Sequence, residues 1–266
     1  MDLRGATLSG IEALSYAGSG LLGGVIVTAA QFNMFDDFTL SGFVQVGTAG
    51  DLVANGAMFL TQIRLFDGGQ KIDLSASLKP FSDFGPAVIG GAGNDWIIGS
   101  VRRDSFSGGA GDDSQSGGAG NDAVQGQDGS DTLRGGAGDD VLCGGLGVDQ
   151  MAGGAGADSF SYFATGESAV AARDVITDFT VDAGAGTAFV DRLNLSFIDA
   201  KAGVVGNDAF VFVGGAAFTA EGHIRAFRHG AVTIVQANTT GAGGAEMEFV
   251  LQGFSGTDLS AADLVL

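Results

Sequence analysis

The chain has 266 residues, of which 48 are glycine, 2 are proline and 45% are hydrophobic. This apolar content excludes general disorder, and the scarcity of proline excludes a Pro-rich flexible chain, so we expect one large all-β domain or a few small modules. The net charge of −19, from 12 basic and 31 acidic residues, argues against nucleic acid and anionic membrane as partners, because both require clustered Lys and Arg.

Residues 1–89 contain short apolar runs separated by glycine. The runs at 25–27, 43–46 and 58–60 are typical of β-strands about four to six residues long, with turns between them. We predict an irregular β-solenoid that continues into the next region, with a separate β-sandwich as the alternative.

Residues 90–161 repeat nine residues eight times without a break. The copies read GGAGNDWII, GSVRRDSFS, GGAGDDSQS, GGAGNDAVQ, GQDGSDTLR, GGAGDDVLC, GGLGVDQMA and GGAGADSFS. The sixth position is always aspartate: Asp95, Asp104, Asp113, Asp122, Asp131, Asp140, Asp149 and Asp158. A flexible Gly/Asp-rich linker would not explain this fixed phase together with an apolar residue at the eighth position.

The two parts of each copy have different roles. Glycine at positions one, two and four can adopt positive φ without steric cost, so we expect a tight turn whose carbonyl oxygens point to one centre. The aspartate adds a carboxylate, and because Ca²⁺ takes about six to eight oxygen ligands, one turn supplies about half a site. The last three residues predict a short strand whose middle residue points inward: Ile97, Phe106, Val124, Leu133, Leu142, Met151 and Phe160, with Gln115 as the exception.

These copies resemble the G-G-x-G-x-D-x-U-x nonapeptide of RTX (hemolysin-type) calcium-binding proteins, in which U is a large apolar residue. The resemblance implies a parallel β-roll with two nonapeptides per coil, so that copies eighteen residues apart stack and share Ca²⁺. It implies two rows of metal ligands, one of Asp95, Asp113, Asp131 and Asp149, the other of Asp104, Asp122, Asp140 and Asp158. It also implies metal-binding carbonyls from the turns, at Gly91, Gly93, Gly109, Gly111, Gly118, Gly120, Gly136 and Gly138.

Copy two, at residues 99–107, departs most from the repeat. Ser100 and Arg102 replace glycines of the turn, and Arg103 adds a second cation next to Asp104. We therefore expect the site shared by copies two and four to be weak or empty.

The flanking regions carry further resemblances. Residues 8–14, 28–32 and 72–75 resemble stretches found ahead of RTX repeats in large bacterial exoproteins. DVITDF at 174–179 and DRLNLSFIDA at 191–200, separated by a Gly/Ala insertion at 182–188, resemble the run that follows the roll in serralysin-type proteins.

The remainder of the C-terminal region predicts a β-sandwich-like module. Runs at 210–213, 223–227, 232–235 and 248–251 predict antiparallel strands, as in the serralysin C-terminal module. GAGGAE at 241–246 replaces that family's G-D-G-x-A-D, so we expect no minor metal site there.

The end of the chain, DLSAADLVL at 258–266, resembles the C-terminal signal that type I secretion machinery recognises. An ordinary last strand is the alternative, and the two are compatible. We expect no secretory signal at the start, because residues 1–10 carry one basic residue and the apolar stretch at 21–30 is too short to cross a bilayer. The single Cys143 excludes an intramolecular disulfide and is interpreted as a small apolar residue beside Leu142.

No enzyme motif is present, and we expect no catalytic activity in this chain. The zinc site of serralysins needs H-E-x-x-H, whereas the two histidines here are His223 and His229, six residues apart in a strand-like stretch. Gly166-Glu167-Ser168-Ala169-Val170 approaches G-x-S-x-G but lacks the last glycine.

The sequence thus predicts an all-β chain in three parts. These are an irregular β-solenoid at 1–89, a parallel β-roll of calcium-binding repeats at 90–161, and a β-sandwich-like secretion module at 162–266. We expect a secreted calcium-binding module that is unfolded inside the cell and folds outside it, with type I secretion machinery as partner, no nucleic acid and no membrane insertion. The alternatives are the non-catalytic C-terminal part of an extracellular metalloprotease or carbohydrate-active enzyme, and a surface-layer or adhesin fragment that binds a cell surface or itself.

Overall fold

The protein is described from a computed structural model. It covers residues 24–27, 37–39, 43–46, 52–53, 57–59, 62–65, 68–75, 84–181, 190–202, 207–241, 243–253 and 259–266. The stretches at 8–14 and 28–32, the insertion at 182–188, Ala242 and Asp258 lie outside these residues. Within the described part of the chain the fold is all-β, as predicted, with 3-10 turns at Thr165–Ser168 and Ala261–Asp263.

Two long sheets make up most of the described structure. Sheet one has ten strands in the order β1 (Gly24–Val27), β3 (Phe43–Val46), β6 (Gln62–Arg64), β8 (Phe84–Ile89), β10 (Arg103–Ala110), β12 (Ala123–Asp128), β14 (Val141–Leu146), β16 (Ser159–Ser161), β18 (Arg192–Asn194) and β23 (Leu264–Val265). Sheet two has eleven, in the order β4 (Leu52–Val53), β7 (Lys71–Asp73), β9 (Trp96–Ile98), β11 (Ser114–Ala119), β13 (Thr132–Ala137), β15 (Gln150–Ala155), β17 (Asp174–Ile176), β22 (Met247–Leu251), β21 (Val232–Asn238), β20 (His223–His229) and β19 (Val211–Phe212). β2 (Asp37–Thr39) and β5 (Ala57–Phe59) form a separate parallel pair.

The chain changes sheets at every nonapeptide. Phe106 pairs with Val124 and then Leu142 in sheet one, while Leu133 pairs with Met151 in sheet two, so each residue lies beside the one eighteen positions later. All these pairs are parallel, and nine residues therefore take the chain halfway around one coil. This is the parallel β-roll that the sequence predicts for 90–161.

The strands of the roll are longer than predicted. The sequence favours three-residue strands, but β11 to β15 each have six residues and continue into the first glycines of the next copy. Gly118 still pairs with Gly136 in register, for example. Strand propensity disfavours glycine, which is why the sequence predicts a strand end there. In the stacked roll, however, the glycine backbone still pairs with the neighbouring coils and continues the strand into the turn.

The core is a double column of apolar side chains between the sheets. The predicted inward residues of the repeats are confirmed, with exposure of 2% or less at Ile97, Phe106, Val124, Leu133, Leu142, Met151 and Phe160. The columns continue outside the repeats, through Ile63 and Val88 on one side and Leu193 on the other. Each such side chain contributes about 1.5–3 kcal/mol by burial.

Gln115 is the exception in this column, as predicted. It is 1% exposed and lies between Ile97 and Leu133, where its side-chain amide donates to the Gln125 carbonyl at 2.8 Å. Its own amide oxygen has no hydrogen-bond partner. A buried acceptor of this kind costs about 1–3 kcal/mol.

Strands on both sides of the repeats join the same two sheets. β6 pairs with β8 and β7 with β9 before the roll, and β17, β18 and β23 continue the sheets after it. β20, β21 and β22 are antiparallel, as predicted, but β19 lies parallel to β20. The prediction of antiparallel strands is wrong for this pair, because residues 213–222 return the chain to the start of β19 before β20 begins. No helix in the described residues is long and apolar enough to cross a bilayer.

Candidate metal centre

The repeat aspartates form two rows, one along each edge of the roll. Those that precede sheet-two strands are Asp95, Asp113, Asp131 and Asp149, here called row one. Those at the sheet-one strands are Asp104, Asp122, Asp140 and Asp158, here called row two. All eight are at most 2% exposed, although aspartate is rarely buried without a partner.

Each row is a continuous ladder of hydrogen bonds. The backbone N–H of every repeat aspartate donates to Oδ1 of the aspartate in the next coil, over 2.7–2.9 Å. One carboxylate oxygen therefore holds the preceding coil at a fixed spacing. In the turns it adds to backbone hydrogen bonds between coils, such as those from Gly111 N–H to the Asp128 carbonyl and from Ser114 N–H to the Asp95 carbonyl.

The second carboxylate oxygen is buried and has no hydrogen-bond partner. This holds for Oδ2 of Asp113, Asp122, Asp131, Asp140, Asp149 and Asp158. A buried ionised oxygen without a partner carries a large desolvation cost. A cation would remove that cost at each of these positions.

Glycine at position one makes room for this oxygen. A Cβ on Gly126 would lie 2.0 Å from Asp131 Oδ2 and 2.5 Å from the Gly144 carbonyl oxygen of the next coil. The same arrangement recurs at Gly117, where the distances are 2.2 Å to Asp122 Oδ2 and 2.6 Å to the Gly135 carbonyl oxygen. Two acceptor oxygens thus converge on one small space in each gap between stacked turns.

The prediction of positive φ at position one is therefore wrong, because glycine is needed there for space. Positive φ occurs instead at positions two and four, as at Gly136 (φ 123°) and Gly138 (φ 127°). Gly136 also closely approaches the preceding coil, since a Cβ there would lie 2.0 Å from the Gly118 carbonyl oxygen. Of the eight predicted carbonyl ligands, Gly91 differs from the others in lacking the positive φ.

Burial raises the pKa of most of the row carboxylates, so that ionising them without a cation is unfavourable. It raises the pKa of Asp113, Asp122 and Asp149 to about 6, and that of Asp131, Asp140 and Asp158 to about 7. Neighbouring aspartates in the row add to the increase in pKa, and the ladder hydrogen bonds oppose it. A bound cation would lower the pKa again, because its positive charge favours the ionised carboxylates.

The donor set fits a calcium ion rather than a softer metal. Among the described residues, no three His, Cys, Asp or Glu side chains converge on one point, so carboxylates alone cannot complete a site. Carboxylate and backbone carbonyl oxygens together are the ligands that Ca²⁺ prefers, with about six to eight per ion. The four stacked turns in each row provide three gaps, six in total.

Copy two is built differently, in the way that the sequence suggests. Asp104 Oδ2 accepts hydrogen bonds from the Ser100 backbone N–H at 2.7 Å and the Ser100 hydroxyl at 2.9 Å. The other oxygen of Asp104, Oδ1, has no hydrogen-bond partner, and a Cβ added to Gly85 would lie only 1.7 Å from it. Ser100 thus partly takes the place that a metal would have beside this carboxylate.

Both ladders extend one step beyond the nonapeptides, which the sequence prediction missed. Asp149 N–H donates to Asp174 Oδ1, and Asp158 N–H donates to Asp191 Oδ1, each at 2.9 Å. Asp191 Oδ2 accepts from Thr180, whereas Asp174 Oδ2 is unpartnered and next to the buried Tyr162. The D-x-apolar spacing of DVI and DRL, shared with the repeat, was the available signal.

The other candidate residues lie apart from these rows. His223 and His229 are at opposite ends of β20, where the Thr219 N–H donates to His223 Nδ1 at 3.4 Å. Cys143 is a buried free thiol, and burial raises its pKa to about 12. Ser168 donates to the Glu248 carbonyl and accepts from the Asp174 N–H, so its hydroxyl has a structural role.

Comparison with known proteins agrees with this geometry. The family model "RTX calcium-binding nonapeptide repeat (4 copies)" matches residues 89–124, 116–151 and 125–160. No curated protein sequence matches the chain.

Two solution structures of subunits from an Azotobacter vinelandii mannuronan C5-epimerase are similar to the chain. AlgE6R2 is 25% identical, covers 65% of this chain and 87% of its own, and has a TM-score of 0.39. AlgE6R3 is also 25% identical, covers 64% and 78%, and has a TM-score of 0.24. Together, the family match and the two aspartate rows lead to one identification: residues 89–160 are RTX calcium-binding nonapeptide repeats, which bind Ca²⁺ at multiple sites.

Proposed function

We propose that this chain is a secreted module whose roll folds when Ca²⁺ fills the gaps between stacked turns. The observation that supports this proposal most directly is the set of buried Oδ2 atoms without partners, of which those of Asp113, Asp122, Asp131 and Asp140 face a carbonyl oxygen of the next coil. The eight repeat aspartates and the turn carbonyls are the proposed ligands. The gap between copies two and four is the proposed weak site, since Ser100 already binds Asp104.

Each residue type of the turn has a distinct task in this proposal. The aspartate fixes the preceding coil through Oδ1 and presents Oδ2 to the gap, while glycine at position one leaves that space open. Glycine at positions two and four lets consecutive coils approach closely. Bound Ca²⁺ would supply the positive charge that these oxygens lack.

The size of the effect explains why calcium can control folding. With a dissociation constant in the extracellular range of about 0.1–1 mM, a ten-fold excess of Ca²⁺ stabilises the fold by about 1.4 kcal/mol per site. Five intact gaps would give roughly 7 kcal/mol, comparable to the whole stability of an ordinary domain. At cytosolic calcium levels this contribution nearly vanishes, which favours a chain that stays unfolded until it leaves the cell.

The C-terminal residues support the same sequence of events. β23 pairs with β18, and Ser260 and Asp263 form a reciprocal cap on the 3-10 turn before it. A secretion signal at 258–266 would be accessible only before this strand is paired. If type I machinery exports the unfolded chain and calcium then folds it, the tail can act first as a secretion signal and then as the paired strand β23.

We further propose that the chain is not itself an enzyme. The carboxylates of the rows have structural partners on one side and a proposed metal on the other, and the two histidines lie at opposite ends of one strand. A catalytic unit elsewhere in a longer protein, or an adhesive surface role, would leave this proposal for the roll unchanged.

Calcium titration of chelated protein tests the proposal. Isothermal titration and circular dichroism should show a cooperative gain of β-structure in the millimolar range. Full β-structure in excess chelator would refute calcium-driven folding. Deleting residues 263–266 should abolish export while the purified chain still binds Ca²⁺, and normal export of the truncated chain would refute the signal.

A further inference from the structure

The residue before the aspartate forms a second ladder along each edge. Asn94 Oδ1 accepts the backbone N–H of Asp112 at 3.0 Å, and Asp112 Oδ1 accepts that of Ser130 at 2.8 Å. On the other edge, Asn121 Oδ1 accepts the N–H of Asp139 at 3.1 Å, and Asp139 Oδ1 accepts that of Ala157 at 2.9 Å. These position-five bonds reach forward to the next coil, whereas the aspartate ladder reaches back.

Where both ladders are present, they join the two turns of a gap from opposite directions, but some gaps lack the position-five bond. Four of the six gaps have both a position-five bond and an aspartate bond. The gap between turns 99–104 and 117–122 has the aspartate bond from Asp104 N–H to Asp122 Oδ1 but no position-five bond, since the Arg103 side chain has no acceptor oxygen. In the gap between turns 126–131 and 144–149, among the described residues, the Ser130 hydroxyl makes no bond to the next coil.

The position-five bond does not depend on charge. Two of the acceptors are asparagine and two are aspartate, and all four bond lengths lie between 2.8 and 3.1 Å. A metal ligand at this exposed position would favour carboxylates. The shared property is instead an acceptor oxygen that can reach the amide of the next turn.

We propose that Asn94, Asp112, Asn121 and Asp139 are positioning residues that set the calcium affinity of individual gaps. This inference rests on the proposed filling of the gaps by Ca²⁺. By fixing the spacing of two turns before the ion enters, a position-five bond reduces the ordering that binding requires. Gaps with both bonds fill first, and the gap at Ser130 fills later although its aspartates are intact.

Asn121→Ala removes one position-five bond without touching an aspartate. A net hydrogen bond contributes about 0.5–1.5 kcal/mol, so calcium binding at one gap should weaken roughly two- to ten-fold. Asn121→Asp should stay within about two-fold of the parent affinity, since Asp112 and Asp139 make the same bond. Val148→Ala is the matched control, because it truncates a position-five side chain that accepts no such bond.

Ser130→Asn tests the inference by gain of function. The new amide oxygen can accept the Val148 N–H, so the gap between copies five and seven should bind Ca²⁺ roughly two- to ten-fold more tightly. Isothermal titration with Ca²⁺ on the full chain measures both variants. If the parent chain binds Ca²⁺ but neither Asn121→Ala nor Ser130→Asn changes its affinities, the inference is wrong; if the parent chain binds no Ca²⁺, the proposed function fails instead.

Discussion

Replacing Asp131 with asparagine should have opposite effects with and without calcium. Asparagine has the same shape as aspartate, so its Oδ1 can still accept the Asp113 N–H and preserve the ladder. The change removes only the charge and the proposed metal-binding oxygen. Asp131 lies between two gaps of row one, so one or two ions should be lost.

The expected magnitude follows from the number of ions. At a ten-fold excess of Ca²⁺, losing one or two sites lowers the free energy of unfolding by about 1.4 to 2.8 kcal/mol. Without calcium the sign reverses, because burial raises the pKa of Asp131 to about 7 and its ionised form is unfavourable in the fold. The chelated variant should therefore fold at least as readily as the parent.

Urea unfolding in excess Ca²⁺ measures the first effect. The concentration of trimethylamine oxide needed to fold the chelated chain, followed by circular dichroism, measures the second. Asp128→Asn is the matched control, because it makes the same charge change at an exposed residue of the same copy. Equal destabilisation of Asp131→Asn in calcium and in chelator would contradict the reasoning and leave the aspartate a purely structural role.

Three further changes test other parts of the structure. Gly135→Ala places a Cβ 2.2 Å from Asp140 Oδ2 and should remove at least one bound ion in a calcium titration. Gly244→Ala is the control and should keep all ions, because nothing lies within 4 Å of its Cβ. Retention of all ions by Gly135→Ala would argue against a metal in that gap. Gln115→Leu should raise the free energy of unfolding by about 1 kcal/mol, because an apolar side chain like those of its neighbours Ile97 and Leu133 takes the place of a buried amide whose oxygen has no partner. Urea unfolding with calcium would show destabilisation if the amide were needed. In chelator, circular dichroism should show more β-structure at pH 5 than at pH 8. Six of the eight row carboxylates have pKa values raised to about 6 or 7, so the folded chain binds more protons than the unfolded chain, and this stabilisation is lost as the pH rises through that range. More structure at pH 8 would contradict the pKa directions.

The repeat made the central fold predictable, because two independent signals share one phase. The aspartate at position six gave the edges, and the apolar residue at position eight gave the interior, as the buried Leu133 and Leu142 confirm. Neither signal depends on secondary-structure propensity. The ligand role of individual residues remains a prediction.

What sequence patterns could not give were the roles that depend on the neighbouring coil. Strand propensity stops at Gly135, but parallel neighbours extend β13 through it to Ala137. Glycine at position one was assigned to turn conformation, because the space it leaves for Asp140 Oδ2 is visible only in three dimensions. The bond from Asp139 N–H to Asn121 joins residues eighteen apart, and no local pattern marks it.

The chain's alternation between sheets also restricts how such a roll can change in length. Removing one nine-residue unit would transfer every later carboxylate to the opposite edge and every later strand to the opposite sheet, so that DVI at 174–176 would arrive beside the wrong neighbours. Removing or duplicating a full coil of eighteen residues would leave all of these partnerships intact. Growth and loss of repeats in this architecture should therefore be tolerated in even numbers, and an odd change should disconnect the C-terminal strands from the sheets that receive them.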